Sequence, residues 1–444
     1  MRAKRVLAVL IGLSVAGVPA AAAVGSETDG LSWGARVLGR QALPANDGWA
    51  AEGAGTTGGS EADADHTFVV HNRAELVAAL GGGSNATPKL IYIEGTIEGN
   101  VDDANQPLSC EAMADPEYTL AAYLATYDPA VWGRVAPSGP LEQARARSAN
   151  NQLARVRMNI GPNTTIFGLR GAKTHGVFFR MDGVSNVIIR NLQIEDSFDC
   201  FPQWAPTDGA NGNWNSSVDN IWVRNSNHVW IDHNTFTDGD NPDSTQPLYF
   251  GWPFQVHDGQ TDITNGSNFV TLSFNKYTNH DKAMLIGSTN TPGVDVDRLK
   301  VTLHHNFIDG LVQRTPRVRF GQVDVYNNYY RIPVADPYEY SWGVGVQSAL
   351  YVENNYLALG DEVTTDSVVF DWGGTVMTEK GTWVRAGTPF PRQMSLLEAY
   401  NATHDPDIGS DAGWTPVLRA GPVLPAPAVP VIVLLLAGAG RLPV

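Results

Sequence analysis

A chain of 444 residues that is 43% hydrophobic and only 17% charged can bury a large core and is not compositionally disordered. Its formal net charge of −16 at pH 7 argues against a nucleic-acid partner. An anionic ligand would need a local basic patch or a bridging cation.

The first residues read as an export signal. Arg2, Lys4 and Arg5 precede the apolar run Val6–Val18, and the small residues "PAAAAV" follow. The run is too short to span a bilayer, and Ala21-Ala22-Ala23 suits signal-peptidase cleavage. The expectation is a signal peptide at 1–23 and a single domain at 24–444, secreted and extracellular, with no membrane attachment after cleavage. An uncleaved anchor is the alternative.

Next, "HTFVVHNRAELVAALGGG" predicts a strand and then a short helix from about Arg73 to Leu80, stopped by glycines. A further strand, "KLIYIEGTI", follows. From Cys110 to Val156 the pattern becomes helix-like, as in "PLEQARARSANNQLARV", with Ser138 and Pro140 near its start. This stretch, about 110–156, reads as a helical insertion into a β architecture. Cys110 and Cys200 could pair in an oxidising compartment, but sequence alone does not bring them within bridging distance.

The second half repeats a unit. "NVIIRNLQI", "HVWIDHNTF", "FVTLSFNKY", "LKVTLHHNFI", "QVDVYNNYY" and "ALYVENNYL" are each a β-rich run, then an asparagine, then an apolar or aromatic residue. The asparagines fall at Asn191, Asn234, Asn275, Asn306, Asn328 and Asn355. Their intervals look like turns of about 22 residues with loops of unequal length added, the mark of a solenoid. Short β-branched strands without helices between them predict an all-β fold, a right-handed parallel β-helix with loop insertions. A β-sandwich is the alternative. Asparagines at one corner can stack in a hydrogen-bonded ladder, and asparagine tolerates left-handed turns. Near the C-terminus, "PVIVLLLAGAG" (Pro430–Gly440) is shorter than a membrane span and reads as a segment packed on the body.

Long loops on a rigid coil are where function is expected. In "QVHDGQTDITNGSNFVTLSF", Asp258 and Asp262 are four residues apart, a spacing that puts both side chains on one face of a strand. One rung earlier, "SSVDNIWVRNSNHVWIDH" supplies Asp219 and Asp232. Carboxylates gathered from adjacent rungs repel one another and need a cation, and hard oxygen ligands prefer Ca2+ to a softer metal. Aspartates in turns also cap and solvate, so spacing alone does not establish a metal site. "TNHDKAMLIGS" sets His280, Asp281 and Lys282 before an apolar strand, and "QRTPRVRFG" (Gln313–Gly321) gathers Arg314, Arg317 and Arg319. Pairing with local aspartates and a site for an anion are both open. If a strand follows Pro316, Arg317 and Arg319 share a face, and the break at the proline lets Arg314 and Arg319 reach one cleft.

The pieces "HVWIDHNTFTDG", "HDGQTDITNGSNFVTLSFNKYTNHDKAMLIGS", "LKVTLHHNFIDG" and "QRTPRVRFGQVDVYNNYY" resemble the central motifs of the pectate lyases of polysaccharide lyase family 1. "NTTIFGLRG" and "SNVIIRNLQIED" resemble that family's upstream rungs, and the likeness runs from about Thr67 to Arg331, and more loosely to Leu442. The resemblance implies a right-handed parallel β-helix that cleaves polygalacturonate by Ca2+-dependent β-elimination, and the expected oligomeric state is a monomer. By motif, Asp219, Asp258 and Asp262 match the family's calcium ligands. Lys282 and Arg319 match its substrate-binding residues, and Arg314 matches the arginine taken as base. Asp232 and His233 belong to a motif read as structural. Some members carry a second aspartate where this chain has Ser217, which bears on calcium binding without substrate. The helical insertion lies outside the general family pattern.

Three other functions fit parts of the chain. A β-helix polygalacturonase would use Asp258 and Asp262 as acid and base, but has no use for a cationic base. A pectin lyase acting on methylated pectin would not need the aspartate trio. A non-catalytic β-helix, such as an adhesin or a carbohydrate-binding protein, would leave the aspartates, Lys282 and the arginines unexplained.

Overall fold

The structure, a computed structural model, describes residues 30–444. The expected signal peptide at 1–23 lies outside the described residues. Three long sheets wind about one core. A ten-stranded sheet runs rung by rung from Thr67–Val70 to Met377–Lys380, and a second from Thr96–Glu98 to Arg392–Gln393. An eight-stranded sheet runs from Arg157–Asn159 to Val369–Trp372. Strands along the coil pair in parallel, and the last pair, Trp383–Arg385 with Arg392–Gln393, is antiparallel. This is the right-handed parallel β-helix that the repeat predicts.

The register explains why β-branched residues recur. Val187, Val229, Val270, Val301, Val323 and Leu350 stand opposite one another on successive rungs, and all are fully buried. Stacking like on like fills the interior and satisfies every inner strand edge. Short helices close the ends. Asn72 caps Arg73–Leu80 by accepting from the Glu75 N–H, and the helix buries Leu76, Ala79 and Leu80 over the first turns. Leu396–Asn401 buries Leu396, Leu397 and Tyr400 at the other end.

The asparagine ladder forms, with one correction. Asn234, Asn275, Asn306, Asn328 and Asn355 are all buried, and each of the first four donates its Nδ2–H to the Oδ1 of the next, at 2.9–3.2 Å. Asn191 is not in the stack. It stands one position early, and the backbone N–H of Leu192 donates to Asn234 Oδ1 instead. The left-handed conformation also belongs to the residue before each ladder position: His233, Phe274, His305, Asn327 and Asn354 have φ between 48° and 55°. Asn191 shares that conformation at φ 58°, and its Oδ1 accepts from the Gly440 N–H, fastening the C-terminal tail.

The insertion contains the helix Pro140–Val156, with proline in its first turn, Glu142 near its N-terminus and Arg155 near its C-terminus. Ala144, Ser148, Gln152 and Val156 fall on one buried face. Tyr118, Tyr123 and Tyr127 from the insertion pack with Phe201, Trp204, Trp214 and Phe254 in a separate aromatic core. Cys110 and Cys200, which sequence left open, form a disulfide with Cα atoms 5.4 Å apart. The apolar C-terminal segment forms the helix Val429–Leu436, which buries Val429 and Val433 against Phe307 and Tyr356. No helix among the described residues is long and apolar enough to cross a membrane.

Candidate active site

The predicted site residues enter or leave four consecutive strands of the eight-stranded sheet: Ile221–Arg224, Thr261–Thr264, Leu285–Ile286 and Arg317–Val318. Ile221 pairs with Thr261, Ile263 with Ile286, and Leu285 with Arg317. Ile221, Ile263, Ile286 and Val318 point inward and are fully buried. That anchors each rung and places Asp219, then Asp258 and Asp262, then Lys282, then Arg314 and Arg319 on successive rungs, about 4.8 Å apart.

Asp258 and Asp262 do not share one strand face as their spacing suggests. Only Asp262 lies in a strand, and Asp258 precedes it in an irregular segment. Gly259 brings the carboxylates together. Its N–H donates to Asp219 Oδ1 at 2.9 Å, and a Cβ there would fall 2.1 Å from Asp262 Oδ1. Asp262 Oδ1 also accepts from the Leu285 N–H at 3.0 Å. Neither Asp219, Asp258 nor Asp262 has a lysine, arginine or histidine within ion-pair distance among the described residues. Burial, and then Asp258 and Asp262, push the Asp219 carboxyl well above the usual range, while Arg314 pulls it back. Burial and Asp258 push Asp262 up to about 7. The cluster therefore gathers negative charge that Arg314 relieves only in part. Among the described residues no three His, Cys, Asp or Glu side chains gather closely enough to hold a metal ion by themselves, so a cation here would complete its shell with other oxygens, such as carbonyls, water or substrate.

The cations are equally free of carboxylate partners. Lys282 is buried and donates from Nζ to Gln255 Oε1 at 2.5 Å. Gln255 Nε2 in turn donates to Asp281, which also accepts from Gln313. A neutral partner fixes the ammonium without cancelling its charge. Arg319 is buried, with its Nε–H on Asn290 Oδ1 at 2.6 Å and a second N–H on the Gly287 carbonyl at 2.7 Å. Burial, then Arg314, lower its pKa. The Arg317 guanidinium carbon sits over Trp372, 3.7 Å from the ring centre. Burial and then Arg319 bring Arg317 down to about 10. No ion pair links Arg314, Arg317 or Arg319 to an aspartate among the described residues, so the alternative of local pairing fails.

Arg314 has φ 59°, a left-handed conformation that bulky residues rarely adopt. The structure keeps it there by hydrogen bonding: its carbonyl accepts from the Met284 N–H at 2.8 Å, and the Thr315 N–H donates to the Ser341 carbonyl at 2.9 Å. The left-handed residue at this turn is thus Arg314, while Thr315 precedes the proline.

Asp232, by contrast, lies on the ten-stranded sheet, paired with Arg190 at 2.8 Å and with His233 at 2.7 Å. His257, beside Asp258, also faces away from the cluster. It contacts Asp196 at 2.9 Å and Asp243 at 3.1 Å. Burial lowers its pKa, but Asp238, Asp196 and Asp243 outweigh that and raise it to about 10. Sequence reasoning missed Gln255, Asn290 and Trp372, whose contacts with Lys282, Arg319 and Arg317 cross between rungs and leave no local pattern.

Comparisons with known proteins place the chain in a family. A family model described as "Pectate lyase" matches residues 136–396. The chain is 47% identical to a pectate lyase of Bacillus subtilis (strain 168) over 409 residues, 91% of this chain and 94% of that one. It is 33% identical to pectate lyase D of Dickeya chrysanthemi, covering 81% and 83% of the two chains. Among solved structures, a pectate lyase bound to a hexasaccharide superposes with a TM-score of 0.86 at 46% identity, over 91% of this chain and 99% of that one. A pectate lyase from Acidovorax avenae subsp citrulli superposes with a TM-score of 0.81 at 31% identity, over 97% and 99%. The chain belongs to the pectate lyase family and is a lyase.

Proposed function

We propose that this protein is secreted after removal of residues 1–23 and acts as a monomer, its single domain at 24–444 cleaving α-1,4-linked polygalacturonate by Ca2+-dependent β-elimination. The observation that carries this reading is the placement of unpaired carboxylates and unpaired cations on successive rungs of one sheet. A protein with net charge −16 can then bind a polyanion through a cation.

Asp219, Asp258 and Asp262 fit a hard divalent cation. Their donors are all carboxylate oxygens, they lack positive partners, and burial and mutual repulsion raise Asp219 and Asp262. Bound there, Ca2+ would draw in the substrate carboxylate and stabilise the charge that develops on it. Lys282 and Arg319 donate to that carboxylate from fixed positions, which costs no reorganisation as charge grows.

Arg314 takes the proton from C5, next to the carboxylate. The C5–H electrons form the C4–C5 double bond, the C4–O bond breaks, and the leaving oxygen takes a proton from water. The product carries a 4,5-unsaturated sugar at its new non-reducing end. A guanidinium is ordinarily protonated and good bases match the working pH, so this assignment calls for a cationic neighbourhood and an alkaline medium. Arg317 and Arg319, themselves lowered by burial and then by neighbouring arginines, supply the cationic groups beside it.

The test is to incubate the protein with polygalacturonate at alkaline pH, with Ca2+ and then with a chelator, and follow the ultraviolet absorbance of the 4,5-unsaturated product. Absorbance that grows with Ca2+ and stops with chelator is expected. Reducing ends without that absorbance would make the enzyme a hydrolase. Faster turnover of methylated pectin in chelator would make it a pectin lyase.

A further inference from the structure

The helical insertion is braced against the carboxylate site through one buried residue, Asp199. It is 1% exposed and follows the strand Gln193–Glu195. Its Oδ1 accepts from the Phe201 N–H at 2.7 Å, and its Oδ2 accepts from the Ser217 N–H at 2.9 Å. Its own N–H donates to the Val256 carbonyl at 2.7 Å. Ser217 lies two residues before Asp219, and Val256 two residues before Asp258. Asp199 therefore ties together the two segments that carry these carboxylates.

The segment around Asp199 is in turn held by the insertion. Gln152 Oε1 accepts from the Cys200 N–H at 2.9 Å, and Gln152 Nε2 donates to the Phe198 carbonyl at 2.7 Å. Arg145 donates to the Phe201 carbonyl at 2.7 Å. Cys200 is bonded to Cys110 at the insertion's start. Each polar contact comes from the buried face of Pro140–Val156.

We propose that Asp199 is a positioning residue for the cation site and that the helical insertion serves as its brace. The proposal rests on the assignment of Ca2+ to Asp219, Asp258 and Asp262. Groups behind metal ligands set their orientation, and losing one typically lowers affinity roughly 10- to 100-fold. Asp199→Asn is nearly isosteric, yet the carboxylate accepts from two N–H groups. An amide leaves one of them facing its own NH2, whichever way it is turned.

The experiment is calorimetric titration of Ca2+ into the wild type, Asp199→Asn and Asp219→Asn. It is paired with turnover against Ca2+ concentration, and with circular dichroism to establish the fold. The expected result is that Asp199→Asn, folded, binds Ca2+ about tenfold or more weakly, and that its turnover recovers as Ca2+ is raised. A purely structural role would lower the melting temperature and leave the Ca2+ affinity in place, which would overturn the proposal. If Asp199→Asn does not fold, the double variant Cys110→Ala/Cys200→Ala decides. Weaker Ca2+ binding supports the brace, and unchanged binding overturns it. A wild type that binds no Ca2+ even with galacturonate, which it cannot cleave, present in excess, or an Asp219→Asn variant that binds as well as wild type, would instead overturn the metal assignment itself.

Discussion

Two regions of the coil treat buried polar groups in opposite ways. Along the ladder corner, Asn234, Asn275, Asn306 and Asn328 each spend their amides on the next asparagine and on a strand carbonyl such as Ile231 or Leu272. On the eight-stranded face, Asp219, Asp262, Lys282 and Arg319 are buried as well, yet carry charge that no opposite charge cancels. Buried polar groups cost free energy unless partnered. The ladder meets that cost within the protein, whereas the eight-stranded face leaves part of it unmet, and in the proposed function Ca2+ and substrate would meet it. The difference separates a corner built for stability from a face built for chemistry.

Substitutions on the two regions therefore break different properties. The largest effect is expected on the catalytic face. Arg314→Lys keeps a cation but loses the guanidinium, and turnover on polygalacturonate falls roughly 10²- to 10⁴-fold, measured as initial rate of product absorbance, with the melting temperature nearly unchanged. Near-normal turnover at alkaline pH would reject Arg314 as the base. In the ladder the sign reverses. Asn275→Ala strips partners from the Asn234 amide and the Ile231 carbonyl, at a cost of about 1–3 kcal/mol per stranded group. Thermal unfolding should report that loss while turnover per folded molecule stays at the wild-type value. The smallest effect belongs to the neutral support of the active face. Gln255→Leu removes the acceptor that fixes Lys282 and should raise KM for polygalacturonate about five- to tenfold, near 1 kcal/mol. A lowered melting temperature with KM unmoved would make Gln255 merely structural.

Much of this was legible in the sequence, for physical reasons. A repeat whose rungs stack in register writes the same residue types again and again, so the coil, the ladder and the helix Pro140–Val156 could be read directly. The error at Asn191 arose because asparagine suits two adjacent positions of the same corner, the left-handed turn and the ladder itself; "NN" at 327–328 and 354–355 fills both. The misplacement of Asp258 came from assuming a continuous strand where Gly259 makes a close approach. The pairing of Cys110 with Cys200 and the roles of Gln255, Asn290, Trp372 and Asp199 depend on contacts between rungs or with the insertion, which no local pattern encodes.

The most direct test compares the melting temperatures of wild type and Asp262→Asn, each in chelator and in saturating Ca2+, at pH 4 and pH 8. Asp262 is raised to about 7 in the folded state from an ordinary value near 3.8. Its contribution to stability is present in full below the lower value and lost as pH rises through the higher one. Withheld charge relieved by a cation predicts a crossing at pH 8: the variant melts above the wild type in chelator and below it in Ca2+, with little difference at pH 4. A variant that melts below the wild type in chelator at pH 8, or Ca2+ that raises both proteins equally, would contradict the account.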